Sequence, residues 1–350
     1  MRKCLTLLAV AAACADAAWA QSPSVTVFGI VDLAARWVDN DESQWQLASG
    51  GNASSRLGVR GSESLGGDLS AGFWLEGALD PDTGNALRGS ASGGALSVSG
   101  GFTFQRRSTV SLASKRFGEL RLGRDKVPTY FVWETYNPFR DAGVGNSTRL
   151  GPASGLVPSG GAYSTFVRAD NSIAYFLPDG LGGVVGQLTV ALDEGVYGNG
   201  YRGGSLGYRA GPLSLNAAYG VTEVSAGADA EVWNVGGWYD FEVVRPMAFY
   251  SSIDVDGTTQ TNVLVGFTAP VGGVELRAMV QWMDGDGRLD GQEATMVAVG
   301  GVYALSKRTA LYATYSHIDN DNTRFTVSSG PTLTVGNGSG GFELGVRHSF

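Results

Sequence analysis

Apolar and polar positions alternate with a period of two along most of this chain. In SVTVFGIVDLAARW, Val25, Val27, Gly29, Val31 and Leu33 fall on one side, and Thr26, Phe28, Ile30, Asp32 and Arg36 on the other. In LSAGFWLEGALD, Ala71, Phe73 and Leu75 oppose Gly72, Trp74 and Glu76. The theme recurs in VVGQLTVAL, SLNAAYGV, VWNVGGWYDF, MAFYSSID, NVLVGFTA, VELRAMVQWM, TMVAVGGVYAL and TALYATYSHI. About sixteen segments of about ten residues read as strands by this pattern. The last nine residues follow it to the end: Phe342, Leu344, Val346, His348 and Phe350 against Glu343, Gly345, Arg347 and Ser349. Most chains end in a tail that frays. A final strand with its apolar side intact predicts a sheet without a free edge, which is a closed barrel.

The connections support this. Short ones (62–68, 114–119, 178–183, 209–212, 270–273 and 306–309) alternate with long polar ones (39–53, 80–100, 126–160, 223–230, 284–293 and 319–340). An up-and-down barrel with one short-turn end and one long-loop end has this rhythm. A soluble β-sandwich is the competing architecture, but sheets of this many strands usually split. A β-helix needs a fixed repeat, and the chain has none. Aromatic residues near strand ends (Trp37, Trp74, Trp238, Tyr239, Trp282, Tyr303, Tyr312, Tyr315 and Phe350) fit an interfacial girdle and equally a sandwich core.

The first twenty residues, MRKCLTLLAVAAACADAAWA, combine a basic start, an apolar run and a small-x-small site before Gln21. They predict a cleaved secretory leader (1–20) ahead of a single barrel (21–350). Cleavage before Cys14 as a lipoprotein is the alternative, on a weak lipobox. Both cysteines lie in the leader, so the exported chain has no disulfide. The 53 glycines among 350 residues are about twice the usual share. The 10% aromatic content is too high for disorder. A net charge of −8 argues against nucleic acid as a partner. No apolar run of about 18 residues follows the leader, so a membrane-spanning form has to be a barrel.

Five stretches carry a family resemblance: VTVFGIVDLA (25–34), SSRLGVRGSESLGGDLSAGFWLEG (54–77), ELRLGRDKVP (119–128), RADNSIAYFLPDGLGG (168–183), and ALSKRTALYATYSHIDN (304–320) with GVRHSF (345–350). The chain resembles the general porins of Gram-negative bacteria, in the branch found in Neisseria, Bordetella, Comamonas and Burkholderia. The resemblance implies an all-β, sixteen-stranded antiparallel transmembrane barrel in the outer membrane, with a constriction loop folded into the lumen. It also implies a homotrimer with one water-filled pore per subunit, and a terminal Phe350 that the barrel-assembly machinery reads. Its expected contacts are outer-membrane lipid, small solutes and ions.

Selectivity in such a pore comes from charged side chains held close together. By strand parity Arg56 and Arg60 face the lumen, because the lipid side does not accept Arg cheaply. Glu76 faces inward beside Trp74. The family pattern favours Arg106 as a lumen residue, which leaves Arg107 near an interface or subunit contact. Arg168 shares its parity with Asp170 and Ser172. The resemblance implies a wall row of Arg56, Arg60, Arg106 and Arg168 facing the acids of the long loop, Glu134 and Asp141, with a transverse field between them. Where the family often has an acid beside the loop's Pro-Phe, this chain has Asn137-Pro138-Phe139-Arg140, which is expected to favour anions. Each lumen Arg also has a plainer reading as a strut pairing Glu76 or Asp170.

The expected function is a passive diffusion channel, without cofactor, metal or turnover. A solute-selective channel is the alternative within transport. A β-barrel enzyme or adhesin is the alternative from another class. For an enzyme, His317 and His348 are the only histidines. DVDG (254–257) and DGDG (284–287) could offer oxygen ligands, but DGDGRLDGQE lacks calcium-loop spacing and reads as solvated turns.

Overall fold

The computed structural model describes residues 24–86, 101–157 and 164–350. The predicted leader, and parts of the predicted loops 80–100 and 126–160, lie outside them. The described residues form one antiparallel sheet closed on itself. Its sixteen strands are β1 (Ser24–Asn40), β2 in two pieces (Glu42–Ser49 and Arg56–Gly66), β3 (Leu69–Asp80), β4 (Arg107–Ser114), β5 (Gly118–Lys126), β6 (Arg168–Phe176), β7 (Val184–Ala191), β8 (Tyr201–Ala210), β9 (Leu213–Ser225), β10 (Ala228–Tyr239), β11 (Arg245–Val255), β12 (Thr258–Val271), β13 (Val274–Gly285), β14 (Glu293–Ala304), β15 (Thr309–Asp321) and β16 (Ser339–Ser349). Each pairs with its neighbours in sequence. β16 then pairs with β1 in a register running from Ile30 opposite Ser349 to Asp39 opposite Gly340. Phe350 extends the seam by exchanging two backbone hydrogen bonds with Gly29, each 3.1 Å. Among the described residues no helix is long and apolar enough to cross a membrane.

The outward face is the apolar one. Val25, Leu188 and Leu206 are each more than 60% exposed, and Phe342, Leu344, Val346 and Phe350 follow the same side of β16. A soluble fold buries such residues; a barrel in lipid presents them. The packed core lies instead inside the barrel. There the insert between β5 and β6 stacks Tyr130, Trp133, Tyr136, Phe139, Leu150 and Leu156 against the inner wall, which offers Phe249, Ile253, Leu264, Met279, Met283 and Met296.

That insert begins with α1 (Pro128–Thr135). Proline at its start supplies the helical φ and needs no hydrogen-bond partner. The chain then crosses the lumen. Glycines on the far wall leave room for it: a Cβ at Gly236 would overlap the Tyr136 ring, and one at Gly266 would press on Pro138 at 2.8 Å.

Two anticipated long loops are not loops. Residues 39–53 are mostly hairpin: β1 turns at Asp41, in the left-handed region at φ 68, straight into the first piece of β2. Only Gly50–Ser55 leave the sheet. Residues 223–230 are also a tight hairpin, turning at Gly227 (φ 79). Strands that extend past the apolar band keep pairing while carrying polar residues on both faces, so polarity alone resembles a loop. Three aromatics assigned to a girdle face inward. Trp74 lines the lumen, Trp238 packs on Tyr136 with ring centroids 5.0 Å apart, and Tyr312 is buried with its hydroxyl on Asp32.

Candidate pore constriction

Three strands and the approach to a fourth build one wall. Arg56 opens the second piece of β2, Glu76 lies on β3, Arg106 immediately precedes β4, and Arg168 opens β6. Glu76 sits between two cations: Arg106 Nε at 2.7 Å and Arg56 Nη1 at 3.4 Å. The Trp74 indole N–H also donates to it, at 3.2 Å. Arg56 Nε donates to the Ser54 carbonyl (3.0 Å) and Arg168 Nε to the Arg106 carbonyl (2.8 Å), which fixes both heads. Arg168 has no carboxylate within ion-pair distance among the described residues.

The facing loop supplies Glu134 from the chamber side of α1, and Asp141 after the crossing. Lys126, the last residue of β5, bonds both: its ammonium contacts Glu134 and lies 3.3 Å from Asp141. Burial pushes the Asp141 carboxyl up, but Lys126, Arg106, Arg168 and Arg56 outweigh it and hold the group down at about 2. Asp141 is therefore ionised, and both loop acids are matched by a lysine rather than standing alone opposite the wall.

Toward the short-turn end the wall continues as a stack of rings and guanidiniums. Arg60 lies 4.9 Å from the Trp74 ring centroid and 5.3 Å from that of Phe28. Arg107 covers Trp74 at 4.7 Å and pairs with Asp125 at 3.5 Å. Arg121 bonds Asp125 (2.7 Å) and Glu119 (2.9 Å) and covers Phe176 at 4.1 Å. Such stacking draws a guanidinium onto the ring face. Of these groups, Trp74, Arg107, Glu119, Arg121, Asp125 and Phe176 border a chamber of ≈ 890 Å³ that also includes Arg56, Glu76, Arg106, Lys126, Phe131, Glu134 and Arg168.

The structure thus brings Arg56, Arg106, Arg168, Glu76, Glu134 and Asp141 together and sets Arg60 below them. It corrects the placement of Arg107, which faces the chamber. The strand starts at Arg107, in step with inward Thr109 and Ser111, whereas Arg106 precedes it and escapes the alternation. Asp170 does not line the chamber; it pairs with Arg124 at 2.7 Å. Asn171 adopts φ 51, and this left-handed residue breaks the parity between Asp170 and Ser172. Arg140 is exposed and does not line the chamber either. Lys126 was missed: its place at a strand end, two residues before the helix, carries no parity signal. Arg107 and Arg121 were legible had parity been counted from Thr109 and Leu120.

The other candidates serve local structure. His348 faces outward, with Nδ1 2.9 Å from the Thr309 hydroxyl. His317 lies against Gly338 and Gly340. Asp254 accepts from the Thr259 hydroxyl at 2.7 Å, and Asp286 from the Gly287 N–H at 2.7 Å, as turn residues do. Among the described residues there is no cluster of three or more His, Cys, Asp or Glu able to hold a metal.

Comparison with known proteins gives one answer. Residues 6–323 match the Gram-negative porin family. The chain is 36% identical to outer membrane porin protein 32 of Delftia acidovorans, with both chains covered in full. It is 28% identical to an outer membrane porin of Bordetella pertussis, over 91% of this chain and 95% of that one. Its fold superposes on the anion-selective porin from Comamonas acidovorans with a TM-score of 0.79 and 34% identity, covering 94% of this chain and all of the other. With the closed sixteen-stranded barrel, the inserted loop and the charged constriction, the chain belongs to the Gram-negative porins: it is a passive channel of the outer membrane.

Proposed function

We propose that this porin favours anions, and that its selectivity is set where Arg56, Arg106 and Arg168 meet Lys126, Glu134 and Asp141, with Arg60 below. One observation carries the reading: the constriction acids are each matched by a cation, while Arg168 and Arg60 have no carboxylate partner among the described residues. A surplus of positive charge in a narrow aqueous path raises the local concentration of anions. The similarity to a porin described as anion-selective supports the same sign. The working form we propose is a homotrimer in outer-membrane lipid, with a pore in each subunit, after removal of residues 1–20. Phe350 serves as the residue that the assembly machinery reads. A conductive path needs no turnover and no cofactor.

The test is single-channel current from the refolded, leader-free protein in a planar bilayer under a salt gradient. Openings in groups of three with an anion-favouring reversal potential are expected. Changing Arg56 and Arg106 to Ala should then move the potential toward cations. Inserted protein without openings would overturn the channel; a cation-favouring potential would overturn the charge assignment.

A further inference from the structure

Among its described residues, the inserted loop buries its aromatic rings with one exception. Tyr130, Trp133, Tyr136 and Phe139 are each at most 5% exposed, whereas Phe131 is 43% exposed. Phe131 and Glu134 are three residues apart on α1 and share its chamber face, and both line the chamber. A ring left in water forgoes the gain of burial, and ion conduction alone does not require one. The other chamber rings are occupied: Trp74 by Arg60 and Arg107, Phe176 by Arg121. Phe131 has no ring or cation partner among the described residues. The same chamber contains Arg168, whose Nε is fixed on the Arg106 carbonyl at 2.8 Å while its two terminal nitrogens have no ion partner among the described residues. A ring face without a partner and an oriented guanidinium thus border one chamber.

Resting on the porin reading, we propose that this chamber is a low-affinity site for aromatic carboxylates. The ligand ring packs on Phe131 and its carboxylate takes the terminal nitrogens of Arg168. Inorganic anions would use the arginine and leave the ring idle. A ring–ring contact of this kind favours an aromatic acid over acetate by about fivefold.

The test is block of chloride current through single channels by benzoate, acetate and cyclohexanecarboxylate at equal concentration. Block is expressed as a fraction of each variant's own chloride current. Benzoate is expected to block about fivefold more strongly than acetate, and Phe131→Ala to bring the two together. Arg168→Gln should weaken block by both acids. Equal block by benzoate and acetate in the unaltered channel would overturn the site, as would an unchanged benzoate preference in Phe131→Ala. Equal block by cyclohexanecarboxylate and benzoate would overturn its aromatic character. A protein that inserts and passes no chloride fails at the porin reading instead, so the two failures are separable.

Discussion

The carboxylate of Glu343, on the strand that closes the barrel, accepts the backbone N–H of Val144 in the inserted loop at 3.0 Å. Its other oxygen takes Arg36 through Nε (2.9 Å) and Nη2 (2.7 Å). Glu343 is fully buried and Arg36 nearly so. The loop's own Arg149 also feels Glu343, together with the like charge of Arg36. One carboxylate thus joins the seam of the barrel to the far end of the constriction loop.

Glu343→Ala is therefore predicted to do more than remove a contact. It leaves Arg36 buried without its partner, an effect of about 3–5 kcal/mol, and frees the loop near Val144. The expected result is a lower thermal unfolding midpoint, faster proteolysis within residues 127–157, and noisier open-channel current. Unchanged current noise and proteolysis would show that the loop is held by its aromatic packing alone.

Lys126 gives a second prediction, about selectivity. It matches two loop acids at once. Lys126→Met removes one positive charge and leaves Glu134 and Asp141 exposed to the path. Charges about 8 Å apart in a water-filled pore interact by about 0.5–1 kcal/mol, which converts to a two- to fivefold change in preference, roughly. The reversal potential should move toward cations by that factor in Lys126→Met and toward anions in Glu134→Gln. Shifts in the same direction in both variants would mean that the loop has moved rather than that its charge has changed.

Much of this architecture is legible in the residues, and the exceptions have identifiable causes. Alternation alone places Val25, Val27 and Val31 outside and Arg56 and Glu76 inside, because a pleated strand has only two faces and lipid accepts one kind of residue. Alternation stops reporting the face where the pleat is interrupted. Arg107 is the first residue of its strand, and Asn171 is a left-handed step. Trp238 and Tyr312 were misplaced because aromatic character suits both the lipid boundary and a packed lumen, and only parity separates them. Lys126 was invisible because its partners lie 8 and 15 residues away through a crossing that no local pattern specifies.

The Asp141 carboxyl provides a pH prediction. Its ordinary value of 3.8 is lowered to about 2, so its bound proton is lost more readily in the folded pore than in the unfolded chain. The stabilisation from its ion pairs is complete above the unfolded value and disappears as pH falls through about 2. The difference in reversal potential between the unaltered channel and Asp141→Asn should therefore persist from pH 7 down to about pH 4, and close only as pH approaches 2. A difference that already vanishes at pH 4 would show that Asp141 lacks the cationic surroundings described above.

The seam between Gly29 and Phe350 separates folding from assembly. Two backbone hydrogen bonds join these residues, and the Phe350 ring covers Gly29 so closely that a Cβ there would overlap it. Gly29→Ala should push the ring aside and destabilise the seam by about 1–3 kcal/mol. Phe350→Ala leaves the backbone pair intact and removes a ring that is already 46% exposed, so the refolded barrel should lose only about 1 kcal/mol. The double variant should recover part of the Gly29→Ala loss, because the clash with the ring is gone. Recovery should be incomplete, since the Arg56 carbonyl also stands 2.9 Å from the added Cβ. In cells the order should reverse. Phe350→Ala should reduce the amount of inserted barrel more than Gly29→Ala if the ring is read during assembly. If instead both variants lose inserted barrel in proportion to their stability after refolding in vitro, Phe350 acts only as part of the seam.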